Sequence, residues 1–219
     1  MQNELYHYGV RGMKWGVRRY QNADGTLTEA GKKHQRKQVV NDVRDIMRNT
    51  YKPHNDPNRI GYFESKNRIK SIPEVSALSN AGELKSIKAE KDALEKPLRK
   101  IVKDFHNDKG LEEKYLNKQK KIDPSAHGDE YLHLYLKDIG FDYNEYSSKH
   151  GQLFDKYSAT CKELTSGMLN KYGDKPLLSM NERRKLGNGA YYEKRTVGHM
   201  VESALRDGWF NEDETHWFY

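Results

Sequence analysis

Cysteine is almost absent from this chain of 219 residues, which contains only Cys161. A single cysteine excludes an intrachain disulfide and any metal site built from several cysteines. No stretch approaches the roughly eighteen consecutive apolar residues of a membrane-spanning helix, and the N-terminus lacks the apolar core of a secretory signal. The sequence therefore predicts synthesis in a reducing compartment, with no membrane span and no ordinary secretion.

Catalytic motifs are also missing. No Gly-Lys-Ser/Thr follows the N-terminal glycines, which excludes the phosphate-binding loop of nucleotide hydrolases. His127 and His133 are six residues apart and do not share a helix face, so they are not expected to bind a metal. On the apolar face of a predicted helix, Cys161 is expected to be buried and inert, and His150 to be a semi-buried core histidine and not a ligand or a base. We expect no enzyme activity, catalytic residue, metal or cofactor.

Apolar residues are scarce, at 35% of the chain, whereas charged residues reach 32% and the mean hydropathy is −1.08. For a globular protein the apolar fraction and the mean hydropathy are low and the charged fraction is high. Fifteen tyrosines, three tryptophans and six phenylalanines supply apolar area that aliphatic residues do not. The composition predicts an ordered helical protein with a thin core.

Basic charge is concentrated at the N-terminus. Residues 1–38 contain eight bases and three acids, so they hold +5 of the net charge of +7. The remaining 181 residues are nearly balanced, which argues against a uniformly cationic nucleic-acid coat. The bases are Arg11, Lys14, Arg18, Arg19, Lys32, Lys33, Arg36 and Lys37; the acids are Glu4, Asp24 and Glu29.

The segment from Tyr6 to Tyr20 combines three glycines, four bases and four aromatic residues without an acid. Glycine at intervals of three or four residues would cost about 1 kcal/mol per position in a helix. The pattern therefore predicts a shaped loop or a docking peptide.

The run His7 to Arg19, extended through Gln21 to Lys33, resembles the signature His-x-Gly-x-x-Gly-x-Lys-Trp-Gly-x-Arg-Arg of virion-associated and minor head proteins of tailed phages and prophages of Gram-positive bacteria. The likeness covers about the first 33 residues. In that group the signature precedes unrelated downstream domains. The resemblance implies a sorting or particle-attachment tag, and a location in the virion, the host cytoplasm or both.

Three binding modes remain open for this segment. Its bases could neutralise phosphates while its rings stack on nucleobases, the same residues could anchor a protein interface, or the segment could fold back on the body. Protein docking is the preferred interpretation and nucleic acid the second. The candidate partner-binding residues are His7, Tyr8, Arg11, Lys14, Trp15, Arg18, Arg19 and Tyr20.

Apolar residues recur at helical spacing in several stretches, most clearly over residues 142–172. We predict a mainly α protein, an irregular bundle of about five to seven helices after a Gly/aromatic/basic N-terminal arm. The first predicted helix runs from Thr28 to about Asn49. The second starts at a cap at Asn80, has a kink or break at Pro97 and ends at Gly110. The others run from Leu111 to about Lys121, from Asp129 to Ile139 with Gly140 closing the end, over 142–172, and from Thr196 to Arg206. Residues 58–72 are ambiguous, and Gly187 to Gly189 predicts a tight turn.

The predicted organisation is a docking arm over residues 1–33 and a helical body over 34–219, with a candidate sub-boundary near 107–128. An acidic aromatic tail over 207–219 carries four acids and no base. This tail could associate head to tail with another copy, mimic the charge of DNA toward a host enzyme, or pack Trp209 and Phe210 on the bundle. Its candidate interface residues are Trp209, Phe210, Trp217, Phe218 and Tyr219.

These observations favour a non-enzymatic phage or prophage protein, head-associated or packaged, which docks through its arm and binds a second partner through its body. One alternative is a soluble inhibitor of host defence, similar in action to an anti-CRISPR protein, that works by steric occlusion. A second alternative is a DNA-binding protein. The expected partner is a phage particle component or a host defence protein, with nucleic acid open, no membrane, and an open oligomeric state.

Overall fold

The computed structural model describes residues 20–125, 130–186 and 195–210. Over these ranges the chain forms nine α-helices, one short 3-10 helix and no strand, which confirms the mainly α prediction. None of the described helices is long and apolar enough to cross a membrane. In chain order the helices are α1 (Glu29–Thr50), α2 (Tyr62–Lys70), α3 (Pro73–Ser79), α4 (Gly82–Asn107), α5 (Lys109–Ile122), α6 (Glu130–Asp138), α7 (Tyr143–Leu169), α8 (Met180–Leu186) and α9 (Val197–Arg206), followed by the 3-10 helix Asp207–Trp209.

Several predicted helix ends are confirmed by their capping contacts. The Thr28 hydroxyl accepts a hydrogen bond from the Gly31 amide at the start of α1, and Thr196 caps α9 in the same way through the His199 amide. Gly140 follows α6 with a φ of +75°, a left-handed conformation that glycine adopts without strain. The long amphipathic helix predicted over 142–172 is α7.

The prediction of five to seven helices was too low, because α2, α3 and α8 are short. A stripe of apolar residues is hard to detect in seven to nine residues. Helix α8 has a recognisable start all the same: Ser179 and Glu182 form a reciprocal capping box. The Ser179 amide donates to the Glu182 carboxylate at 2.8 Å, and the Glu182 amide donates to the Ser179 hydroxyl at 3.3 Å.

Two predictions around α4, at Asn80 and Gly110, were wrong, and of the two alternatives at Pro97 the break is excluded. Asn80 does not cap α4; it follows α3, and its side-chain amide donates to the Ser76 carbonyl at 2.9 Å. Pro97 does not end α4, because the helix continues to Asn107 and buries apolar residues on both sides of the proline. Gly110 lies inside the first turn of α5, where the Asp108 carboxylate caps the Leu111 amide at 3.0 Å.

The buried apolar side chains form two clusters. The first cluster is centred on α9 and includes residues of α1, α2, α3, α7 and the first turns of α4. The second cluster, between the end of α4, α5 and α6, consists of Leu98, Val102, Phe105, Tyr115, Leu132 and Leu136. Helices α4 and α7 pack side by side and contribute to both clusters. The two clusters therefore share two continuous helices.

The predicted boundaries differ from the helix ends. Helix α1 begins at Glu29, one turn before the arm was expected to end at Lys33. The range 107–128 contains α5, which packs on α4 and α6 inside the second cluster. At the other end, Trp209, the last residue of the 3-10 helix, is a member of the first cluster.

Phe105 organises the second cluster, and its removal tests that cluster. Its ring centroid lies 6.0 Å from that of Tyr115, 5.8 Å from Tyr131 and 4.7 Å from Tyr135. We expect Phe105→Ala to lower the free energy of unfolding by about 3–5 kcal/mol, because it leaves a cavity among these rings. Urea unfolding followed by circular dichroism measures the loss. The control is Phe63→Ala, since Phe63 is 77% exposed and its removal should change stability little; equal losses in the two variants would contradict the assignment.

Glu182 makes the stability dependent on acid pH. The hydroxyl and the amide of Ser179 donate to its carboxylate, Arg48 lies 2.7 Å away, and the pKa of Glu182 falls to about 2. A lowered pKa in the folded state stabilises the protein above the unfolded-state pKa of 4.5, and this contribution disappears as the pH falls toward 2.

We therefore expect Glu182→Gln to lower the free energy of unfolding by about 1 kcal/mol at pH 7, a value reduced for partial exposure, and to change it little at pH 2. Urea titrations at both pH values measure the difference. Glu64→Gln is the control, because Glu64 forms an exposed ion pair with Arg68 on α2. A loss for Glu182→Gln that is the same at both pH values would rule out the charge as its cause.

Candidate interaction surfaces

The N-terminal arm joins the body at a fixed point. The Tyr20 carbonyl accepts a hydrogen bond from the Thr28 amide at 3.1 Å, and a bridge between Gln21 and Leu27 closes the intervening loop. Gly25 turns this loop with a φ of +86°, as its Asn-Ala-Asp-Gly sequence indicates. The chain therefore enters α1 through a closed loop, so Tyr20 has a defined position on the body.

Gly31 and His34 hold Tyr20 against α1. A side chain at position 31 would overlap the Tyr20 carbonyl, so the first turn of α1 accepts only glycine at this close approach. The Tyr20 ring stacks on the His34 ring with centroids 4.9 Å apart, and 39% of Tyr20 remains exposed. Tyr20 is the one candidate arm residue within the described ranges, and it lies at the surface.

Three cations on α1 extend the basic run of the arm. Lys33, Arg36 and Lys37 lie in the first turns of the helix, and none of them forms an ion pair within the described ranges. Lys32 differs, because its ammonium lies 2.8 Å from Glu29. Unpaired cations next to the arm add positive potential where the arm leaves the body.

Most of the other candidate residues lie outside the described residues. In the arm these are His7, Tyr8, Arg11, Lys14, Trp15, Arg18 and Arg19; in the tail they are Trp217, Phe218 and Tyr219. The tight turn predicted at Gly187 to Gly189 and the side chain of His127 also lie outside the described ranges.

Trp209 and Phe210 have different environments. Trp209 is 2% exposed, and its ring centroid lies 5.3 Å from that of Tyr157, 5.3 Å from His150 and 5.7 Å from Phe154. It therefore packs on α7, as the packing alternative predicts, and offers no ring at the surface for an interface. Phe210 is 60% exposed, so it remains a surface residue.

A buried ammonium holds Trp209 against α4. The Lys91 Nζ donates to the Trp209 carbonyl at 2.9 Å and lies 5.0 Å from the ring centroid, which is a cation–π contact. It also lies 3.5 Å from the Glu95 carboxylate, which contacts Arg99 and, at 3.1 Å, the Nε2 of His150. His150 is half-buried, as expected.

This network was missed in the sequence, although a signal was present. Lys91 and Glu95 are four residues apart and fall on the same stripe of α4 as Leu84, Ile87 and Leu98. Opposite charges at this spacing inside an apolar stripe are typical of a buried ion pair.

Cys161 is fully buried in the first cluster, and burial raises the pKa of its thiol to about 11. A thiol with a raised pKa and no access to solvent is a poor nucleophile. Within residues 20–125, 130–186 and 195–210, no group of three or more His, Cys, Asp and Glu side chains is placed to hold a metal ion.

A groove runs between α4 and α7, with a volume of about 370 Å³. Its floor contains Leu94 and Leu153, which are both half-buried, and its rim is charged. The residues that line it are Glu90, Leu94, Lys149, Gln152, Leu153 and Lys156. The groove is therefore an apolar depression with a cationic rim on the α7 side.

Comparison with known proteins gives one short match. Residues 1–22 match a family of unknown function, DUF7211, and these residues include the whole glycine-rich, aromatic and basic segment from Tyr6 to Tyr20. No curated protein and no solved structure matches the chain. The match therefore marks the arm as a recurring sequence segment and assigns it no activity.

Proposed function

We propose that this chain is a non-enzymatic phage or prophage protein, head-associated or packaged, that docks on a partner through its N-terminal arm and binds a second partner through its helical body. The observation that carries this proposal is the junction at Tyr20. There the cationic aromatic segment joins α1 through a closed loop, beside Lys33, Arg36 and Lys37, which form no ion pair with the residues that the structure describes.

The junction favours a docking role for physical reasons. Tryptophan and arginine supply much of the binding energy at protein interfaces, and Trp15, Arg18 and Arg19 stand directly before Tyr20. A short connection to a rigid body loses less conformational freedom on binding than a long linker does. Lys33, Arg36 and Lys37 add positive charge at the base of the arm, which suits an acidic partner.

A protein partner agrees better with the charge distribution than DNA does. The 181 residues after Gln38 carry a net charge of only +2, so the body does not offer a long duplex a continuous positive face. The arm and the first turns of α1 are sufficient to contact a compact acidic patch on a particle protein. DNA binding and inhibition of host defence remain as outcomes that experiments separate.

The exposed apolar residues of the body are suitable contacts for the second partner. Phe63 is 77% and Phe210 60% exposed. The Lys66 Nζ lies 3.0 Å from the Asp207 carboxylate and 5.9 Å from the Phe63 ring centroid, and Phe210 follows Asp207 by three residues. Aromatic residues are enriched at protein interfaces, so two exposed rings are suitable contacts for a partner.

The docking role of the arm is tested on particles purified on a density gradient from an induced culture of the source bacterium. We expect the double variant Trp15→Ala, Arg18→Ala to reduce the amount of protein in these particles at least tenfold, because it removes both anchors. Its circular dichroism spectrum and thermal midpoint should stay unchanged. The matched control, Ile122→Ala with Lys121→Ala, removes an exposed apolar side chain and one positive charge from α5 and should leave incorporation intact.

Two results would reject this assignment. A large drop in the thermal midpoint of the arm variant would mean that the arm belongs to the core. Absence of the wild-type protein from particles, together with sensitivity to host immunity that returns on deletion of the gene, would mean that the protein is an inhibitor of host defence.

Salt dependence separates a protein partner from DNA. Four arm bases, Arg11, Lys14, Arg18 and Arg19, would release enough counterions from DNA to weaken binding on the order of a hundredfold between 50 and 200 mM salt. For docking on a protein we expect a change below tenfold over the same range. The measurement is retention of the full chain on particles and, in parallel, on a DNA duplex of mixed sequence; a steep loss on both would favour DNA.

A further inference from the structure

The groove between α4 and α7 lies beside the point where the C-terminal segment meets the same two helices. Trp209 contacts Lys91 on α4 and His150 on α7, whereas the groove is lined by their sequence neighbours Glu90 and Lys149. One residue step rotates about 100° around a helix. Trp209 and the groove therefore occupy different sides of the α4–α7 pair at the same height.

The groove has the chemistry of a site for an acidic aromatic peptide. The half-buried side chains of Leu94 and Leu153 form an apolar floor, and its volume of about 370 Å³ is large enough for one aromatic ring system. On the rim, the Lys156 ammonium lies 3.6 Å from Glu90 and keeps more than half of its surface exposed. The ammonium of Lys149, exposed to the same degree, lies 2.5 Å from Glu145. Both lysines can exchange these surface ion pairs for others at low cost.

A segment of matching chemistry follows Trp209 and Phe210 in the sequence. Residues 211–219 follow Phe210 and carry Glu212, Asp213 and Glu214 and then Trp217, Phe218 and Tyr219. Nine extended residues reach up to about 30 Å, whereas a helix with its side chains is about 10–12 Å across. The segment is therefore long enough to pass around α4 or α7 from Trp209 to the groove.

We infer that the α4–α7 groove is a peptide-binding site whose occupant is the segment 211–219 of the same chain. An aromatic ring of the segment rests on Leu94 and Leu153, and its acidic residues pair with Lys149 and Lys156. This inference does not rest on the role proposed for the arm, because it involves no residue before Gly82.

Disulfide trapping tests the inference in the full chain. Gln152→Cys places a thiol in the groove and His216→Cys places one in the segment, while the buried Cys161 does not compete. We expect an intrachain disulfide to form under mild oxidation at least tenfold faster than in the control pair Gln38→Cys with His216→Cys. Gln38 is an exposed glutamine on α1, so the control makes the same substitution away from the groove.

Charge reversal on the rim gives a second test. Adding Lys149→Glu and Lys156→Glu to the variant with Gln152→Cys and His216→Cys should slow disulfide formation at least fivefold. The rim of the groove then repels the acidic segment. Lys100→Glu with Lys103→Glu is the control, since both lysines are exposed on α4 outside the groove. Circular dichroism confirms that each variant is folded.

The outcomes separate clearly. Trapping no faster than in the control pair overturns the inference, and so does a product that is only a disulfide-linked dimer, which would assign the groove to the segment of a second copy. Trapping at low protein concentration as an intrachain product supports it. Because residues 1–20 are unchanged in these variants, particle incorporation continues to report on the arm alone.

Discussion

The buried ammonium of Lys91 is the interaction on which the arrangement of the helices depends most. It binds the Trp209 carbonyl and ring and lies beside Glu95, which in turn contacts His150 on α7. A charge buried in this way is tolerated only while its partners stay in place, and loss of one partner typically costs about 3–5 kcal/mol. The network therefore fixes α4, α7 and the end of the chain relative to one another. The groove that we assign to the segment 211–219 exists because α4 and α7 are held side by side.

Sequence periodicity predicted the helices that carry a clear apolar stripe and missed the short helices α2, α3 and α8. Helices α1, α7 and α9 each carry an apolar stripe over several turns, so their faces and ends follow from spacing and from caps such as Thr28 and Thr196. Pro97 does not break α4, because packing on both sides of the proline outweighs the one lost hydrogen bond. Helix α8 was overlooked although Ser179 and Glu182 form a capping box, a signal that is independent of periodicity.

The interaction surfaces were less predictable than the helices, and the aromatic residues show the reason. Composition marked Tyr20, Trp209 and Phe210 equally as candidate contacts, yet Trp209 is buried against α7 while its neighbour Phe210 is exposed. Which ring is buried depends on how the last turn meets α4, and that depends on Lys91, a residue 118 positions away along the chain. The closed loop before α1 was easier to anticipate, because Asn22 to Gly25 is a local turn sequence.

Helices α4 and α7 pass through both apolar clusters, and this has a consequence for cooperativity. Unfolding of either cluster also disrupts a helix that the other cluster needs. The described body should therefore unfold as one unit. The backbone amides with the slowest hydrogen exchange should lie near the middle of α4. A protease cut between α5 and α6 would leave fragments that each lack half of both cores. Such fragments could regain order only by reassociating, which makes this protein a natural candidate for complementation between its own halves.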